Sequence, residues 1–361
     1  MKVLIVNRLD AFENFGGDTM QMIETEKELK KIGIDVEVSL GSQTLEKYNE
    51  YDVIHFFNIQ TEKFTYNEIL KAKKLKKKIA VSPIWWNYEE LLNDLPDSFY
   101  TSKAKLIKKI FGKKTLIYMK NVNQRIRNIK RVKILDIANI ILPNSKMEID
   151  CLLDSFNKDF SSKCKVVYNG VDEKFEHITE IEMLNELKEK GFNKFDYVTQ
   201  VGRIEVNKNT LLTIRACKEL GIPLVLAGKW NEDEYFDCCK NEAKGHDVVF
   251  LGKRDMSDIV KLNKNAKAHI LPSFRETPGL ASLEAGALGC NVVTTVIGST
   301  KEYFKEDAYY CDPSDYSSIK DSISKAWNSN RNEILKEKIL ELYTWKVAAR
   351  QTMEAYINIL E

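Results

Sequence analysis

Between Leu271 and Gly286 the chain reads Leu271-Pro272-Ser273-Phe274-Arg275-Glu276-Thr277-Pro278-Gly279-Leu280-Ala281-Ser282-Leu283-Glu284-Ala285-Gly286, which sets Glu276 and Glu284 eight residues apart. An apolar run ends at Leu271, a Pro-Gly pair follows, and the residues after Gly279 favour a helix. That order brings the free N–H groups and positive dipole end of the helix to a strand's carboxyl end, where an anion is favoured. The nearby carboxylates accept hydrogen bonds from neutral hydroxyls. A molecule that joins an anion to a polyol, as a nucleoside diphosphate sugar does, uses both. Glutamate pairs at any one spacing are common in charged proteins; the strand, turn and helix around this pair make it specific.

A second cluster follows the apolar run that ends at Val201: Gly202-Arg203-Ile204-Glu205-Val206-Asn207-Lys208. Arg203 and Lys208 at a strand end suit a diphosphate, Arg through its planar fork and Lys as a point charge. The same residues also fit a solvated loop with one surface ion pair. Near the N-terminus, Gly16-Gly17-Asp18 precedes a helical stretch. This is either a tight turn or a loop whose N–H groups meet an anion or a sugar hydroxyl. The dinucleotide pattern G-x-G-x-x-G is absent there.

These residues need a scaffold that gathers strand ends. Apolar runs alternate with amphipathic stretches: Val3 to Asn7, a helix near Asp18 to Ile32, Asp35 to Leu40, Val53 to Phe57, a helix near Asn67 to Lys77, and Ile79 to Ser82. This is βαβ alternation. The first series closes with strands at Ile137 to Leu142 and Lys165 to Tyr168. A second opens at Tyr197 to Gly202 and continues through Leu224 to Ala227, Val248 to Leu251, His269 to Leu271 and Asn291 to Thr295. The pattern predicts two doubly wound α/β domains, with ligands at the carboxyl ends of the strands. The expected limits are 1–170 for an N-terminal domain and 171–343 for a C-terminal one. A charged helix at Glu180 to Lys190 lies just after the seam. A final helix in 344–361, with Trp345, Ala348, Met353, Tyr356 and Ile357 near helical register, is expected to pack back across the junction.

The 361 residues, 43% hydrophobic, with only 16 Gly and 7 Pro, supply cores for two domains and exclude a disordered or collagen-like chain. Seven cysteines without a C-x-x-C pair suggest neither a disulfide framework nor a zinc site, and fit reduced thiols in a cytosol. The short apolar start is followed at once by Asp10 and Glu13, unlike a signal peptide, and no stretch approaches the roughly 20 apolar residues of a membrane span.

From Gly16-Gly17 and Asp52-Val53-Ile54-His55, through Tyr168-Asn169-Gly170-Val171-Asp172, Gly202-Arg203 and above all Phe274 to Gly286, to Trp345 and Tyr356, the chain resembles GT-B glycosyltransferases of family 4, the retaining class with an E-x7-E motif. The resemblance implies two Rossmann-like domains facing each other across a cleft, 1–170 binding the acceptor and 171–343 the nucleotide sugar. It implies transfer of a hexosyl group from a nucleotide sugar to an acceptor hydroxyl with the anomeric configuration kept. Arg203 and Lys208 would then hold the donor diphosphate and stabilise the leaving charge, so that no metal and no cofactor is expected. Glu284 would take the ribose hydroxyls. Glu276, with the backbone of Gly279 and Leu280, would take the transferred sugar and phosphate. His55 matches the position of a histidine beside the reacting sugar; it also reads as a satisfied histidine at a strand end. Thr277-Pro278-Gly279 departs from the Gly-Phe-Gly common after the first Glu, and proline removes one backbone donor near the sugar. Asp233, within Asn231-Glu232-Asp233-Glu234, reads as a solvated helix start rather than a metal ligand. Two rivals remain: a GT-B-like nucleotide-sugar epimerase, which needs no acceptor, and a non-catalytic GT-B partner subunit, which binds no donor.

The formal net charge of +2 hides an asymmetry, since residues 1–170 hold 29 basic against 22 acidic side chains and the remainder is net negative. Residues 101–133 carry twelve Lys or Arg and no acid. Within them Leu106, Ile107, Ile110 and Phe111 form an apolar face flanked by Lys103, Lys105, Lys108, Lys109, Lys113 and Lys114. This is the pattern of an amphipathic helix on an anionic membrane, or of a helix packed on its own domain with a basic rim. Met119, Val122, Ile126 and Ile129 read as a core stripe. Without interleaved aromatics to stack bases, nucleic acid is not expected. A lipid-linked glycan acceptor in bacterial-type surface polysaccharide or glycoconjugate assembly, at the inner face of a cell membrane, accounts for both charge and grease. The expected location is cytoplasmic, with peripheral attachment there.

Overall fold

A computed structural model describes residues 1–86 and 124–361. The chain divides into two compact units, Met1–Tyr168 with Trp345–Glu361, and Asn169–Thr344.

In the first unit, β1 (Lys2–Asn7), β2 (Asp35–Leu40), β3 (Val53–Phe57), β4 (Lys78–Ser82) and β5 (Ile140–Ile141) form a parallel sheet in the order β2-β1-β3-β4-β5. Helices cover such a sheet on both faces, so its central strands are continuous apolar runs rather than alternating ones. Accordingly Val3 through Val6 and every residue of β3 are buried. Strand order reverses at β1, which brings the loops after Asn7 and Phe57 side by side.

The expected strand at 137–142 shrinks to Ile140–Ile141, because residues 124–137 are helical and bury Ile134 and Leu135 on the core side. Residues 165–168 form no strand; Cys164 makes a single bridge to Ile141. The last helix, Trp345–Leu360, belongs to this unit, packs on the helix Gly17–Lys31 and buries Ala348, Ala349 and Ala355. Ile357, expected in its buried stripe, is exposed: the inward face runs through Thr352, Ala355 and Tyr356 instead.

The second unit contains β6 (Val198–Val201), β7 (Leu224–Ala227), β8 (Val248–Gly252), β9 (Ala268–Leu271), β10 (Asn291–Thr295) and β11 (Tyr309–Cys311), parallel in the order β11-β10-β9-β6-β7-β8. The order reverses between β6 and β9, so the loops after Val201 and Leu271 are neighbours although far apart in sequence. This is the switch point where open α/β sheets collect ligands. The three residues of β11 extend the sheet beyond the strands legible in the sequence. The expected helix at Glu180 to Lys190 is only Asn185–Glu189; Ile181 lies before it and its carbonyl accepts from the Asn265 amide.

Candidate active site

Three segments of the second unit meet around Glu276. The Lys208 ammonium is 2.5 Å from Glu276 Oε1, and the Ser273 hydroxyl donates to the same oxygen at 2.6 Å. The backbone is clasped as well: Glu276 N–H donates to Ile297 O at 3.2 Å, and Ser299 N–H donates to Glu276 O at 3.1 Å. A Cβ at Gly298, whose φ is +110°, would lie 2.0 Å from Glu276 O, so only glycine permits this approach. Phe274 N–H donates to Asn207 O at 2.9 Å and ties the loop after β9 to the loop after β6. Glu276 is 7% exposed, and its charge is matched by Lys208 rather than by water.

Gly279 caps the helix Leu280–Ala287 with φ +86°, a left-handed conformation that favours glycine. A Cβ there would come 3.2 Å from Glu276 Oε2, so the carboxylate lies against the residue that opens the helix. Glu284 is half-buried one turn beyond Leu280. The structure therefore brings Glu276, Lys208 and Gly279 together, with Leu280 and Glu284 on the adjoining helix. The Thr277–Pro278 peptide is cis. Arg203 is directed elsewhere: its guanidinium, half exposed, pairs with Glu205 at 3.3 Å, the surface ion pair that its loop also suited.

Lys208 is further held by its backbone, since the Gln200 amide donates to Lys208 O at 2.7 Å. Deeper in β9, His269 is fully buried, with Nδ1 3.3 Å from the Thr199 hydroxyl and no hydrogen-bond partner for Nε2. Burial, with the nearby Lys208 charge adding to it, pushes its pKa down to about 3 and keeps the ring neutral.

In the first unit the surroundings of His55 fit the interior-histidine alternative that its strand also suited. It lies mid-strand in β3 and is 1% exposed, with Nδ1 2.7 Å from the Tyr356 hydroxyl and Nε2 2.9 Å from that of Ser82. Burial pushes its pKa down to about 3. Both ring nitrogens have protein partners, as the interior-histidine reading expects. Gly17 opens a helix with Gly16 as its N-cap. Asp18 Oδ1 would be 3.0 Å from a Cβ at Gly16, and the Asp18 carboxylate accepts from Arg8 at 3.3 Å and Asn58 at 3.1 Å.

Of the basic segment, residues 101–123 lie outside the described residues, and with them Leu106, Ile107, Ile110, Phe111, Met119, Val122 and Lys103 through Lys114. Ile126 and Ile129, expected as core, are each 56% exposed on the helical stretch 124–137. Its core side carries Ile134 and Leu135 instead. Among the described residues no helix is long and apolar enough to cross a membrane, and no His, Cys, Asp and Glu side chains cluster as metal ligands do.

Sequence reasoning gave no role to Ser273 or Gly298. Ser273 stands three residues before Glu276, and Gly298 marks a turn after a strand, but neither signal says what the residue touches. Glu148 was also missed. It is fully buried and accepts from Trp85 N–H at 2.7 Å and Asn144 N–H at 2.6 Å, while its own N–H donates to the N-cap Ser145 hydroxyl at 3.0 Å, a Ser-x-x-Glu spacing that the sequence displays.

The two parallel-sheet Rossmann-like units define the GT-B fold. Residues 184–340, which hold Arg203, Lys208, Glu276 and Glu284, match the family described as glycosyl transferases group 1. An uncharacterized glycosyltransferase of Methanocaldococcus jannaschii is 28% identical over 214 residues, which cover 55% of each chain. The chain thus spans about half the length of this curated relative. Among solved structures, sucrose-phosphate synthase from Thermosynechococcus elongatus superposes with a TM-score of 0.74 at 13% identity, over 99% of both chains. Anabaena HepE in complex with UDP and glucose gives 0.68 at 16%, over 98% of both. At such identities the likeness concerns the fold.

Proposed function

We propose that the protein is a retaining glycosyltransferase that moves a hexosyl group from a nucleotide sugar to a hydroxyl of a glycan acceptor. The observation that carries this reading is the convergence of Lys208, Glu276 and the Gly279-capped helix inside the segment that matches glycosyl transferases group 1. A cation and a helix N-terminus suit the diphosphate, and the carboxylates suit sugar hydroxyls.

In this reading the bond between the anomeric carbon and the diphosphate oxygen breaks, and its electron pair leaves with the diphosphate. Lys208, the helix dipole and Arg203, once it turns from Glu205, offset the charge that develops there. The acceptor hydroxyl attacks from the same face and gives its proton to the departing phosphate. Glu284 takes the ribose hydroxyls and Glu276 the sugar. His55 holds the first unit together and does no chemistry. The acceptor is lipid-linked, in surface polysaccharide or glycoconjugate assembly, and the basic segment 101–133 rests on an anionic membrane surface.

The test is a thermal-shift screen of nucleoside diphosphates and their sugars, followed by turnover with and without acceptor glycans, since a ligand that binds the native state raises its apparent stability. HepE binds UDP and glucose, so uridine is the first base to try. Stabilisation by a nucleoside diphosphate, and glycosyl transfer only with acceptor, is expected. Conversion of the donor to its epimer without acceptor, or no response to any donor, would overturn the proposal.

A further inference from the structure

The Glu276 carboxylate lies between the Lys208 ammonium and the start of a helix. Its Oε1 is 2.5 Å from the Lys208 ammonium, and its Oε2 lies beside Gly279, at the start of the helix Leu280–Ala287. A cation on one side and a helix N-terminus on the other form an anion seat. Ser273 steadies the occupant from beneath at 2.6 Å, and both sides of the ion pair are largely shielded from solvent, with 19% of the Lys208 side chain and 8% of that of Glu276 exposed.

We propose that Glu276 is a built-in anion that fills the phosphate seat of the free protein, so that a nucleoside diphosphate binds in exchange for it. This rests on the nucleotide-sugar reading above. The Lys208 ammonium has three donors but a single charge, and a diphosphate brought to it is repelled by the carboxylate already bonded there, so the two anions compete for the seat. Displaced from Lys208, Glu276 regains its hydrogen-bonding capacity and is free to accept from the hydroxyls of the sugar that arrives with the diphosphate. Donor binding and the readying of Glu276 thereby become one event. Between turnovers Lys208 keeps a partner, which spares the site an uncompensated buried charge.

The sign of one substitution is then opposite to that of ordinary contact loss. Glu276→Gln keeps the shape, removes the competing charge and is expected to bind free nucleoside diphosphate several-fold more tightly than the wild type, while turnover falls. Ser273→Ala leaves the charge but removes one of the two donors on Oε1, and is expected to tighten binding by a smaller factor. Titration calorimetry of UDP, GDP and ADP against the wild type and both variants, each checked by circular dichroism, reads the effect; the serine variant carries the test if the glutamine variant does not fold. Binding to the wild type that is equal or tighter than to both variants overturns this inference and leaves the nucleotide-sugar reading standing. Absence of binding to all three proteins overturns that reading and this inference together.

Discussion

Lys208 Nζ and Glu276 Oε1 lie 2.5 Å apart although 68 residues separate them in the chain. The pair exists because β6 and β9 are sheet neighbours: each strand delivers one partner from the loop at its carboxyl end. Their mutual satisfaction allows a carboxylate that is 7% exposed to remain within the protein. It also places the only cation bonded to Glu276 among the described residues where the proposed diphosphate would sit.

Glu284 and Glu276 are expected to separate in a simple assay. If Glu284 accepts from the ribose diol, Glu284→Ala removes contacts present in both ground and transition states, and nucleoside diphosphate affinity should fall by about 1.5–3 kcal/mol per charge-assisted bond lost. Calorimetry with the wild type's preferred nucleoside diphosphate measures this. Unchanged affinity would remove Glu284 from the ribose.

Activity is expected to persist in excess EDTA if, as proposed, Lys208, Arg203 and the helix N-terminus at Gly279 supply the positive charge for the leaving diphosphate. Steady-state rates with and without chelator test it. Complete loss, restored by Mg²⁺ or Mn²⁺, would show that the protein cations do not suffice.

Tyr356→Phe should cost the first unit about 1–3 kcal/mol, the penalty for leaving a buried polar group, here His55 Nδ1, without its partner. Urea denaturation followed by circular dichroism reads the loss, and nucleoside diphosphate affinity should stay at the wild-type value. A variant as stable as the wild type would mean that this bond does not secure the C-terminal helix to β3.

Acid should destabilise the second unit through His269. Its folded-state pKa is about 3, below the unfolded value of 6.5, so between those limits the unfolded chain holds a proton that the folded chain refuses. The stability contributed by the neutral ring is fully present above pH 6.5 and is lost as pH falls toward 3, at about 1.4 kcal/mol per pH unit. His269→Leu, which also removes the unpartnered Nε2, should flatten this slope in denaturant titrations across that range. Equal slopes in variant and wild type would contradict the assignment.

The basic segment predicts sedimentation with vesicles that contain anionic lipid, and release by salt, because screening limits the reach of such charges to about 8 Å at physiological ionic strength. Reversal of Lys108, Lys109, Lys113 and Lys114 to Glu should abolish sedimentation and leave nucleoside diphosphate affinity intact. Equal binding to neutral vesicles, or none to either kind, would refute the membrane proposal.

The alternation of buried strands and amphipathic helices was legible in the sequence because it is local: parallel strands covered on both faces must be apolar runs, and the covering helices must repeat their apolar residues near every 3.6 positions. The helix after Gly279, with Glu276 ahead of it and Glu284 within it, could be read in the same way, from neighbours a few residues distant. Tertiary structure decided what those groups touch. Strand order paired Lys208 with Glu276, and only folding revealed that Ser273 holds the same oxygen and that Gly298 leaves room for the Glu276 backbone. That Tyr356, 301 residues after His55, bonds its ring, and that the Asp18 carboxylate near Gly16 accepts from Arg8 and Asn58, were likewise decided by the fold. A side chain's type is a property of the residue, whereas its burial and its partners depend on segments that only the sheet order brings together, and local periodicity carries no record of that order.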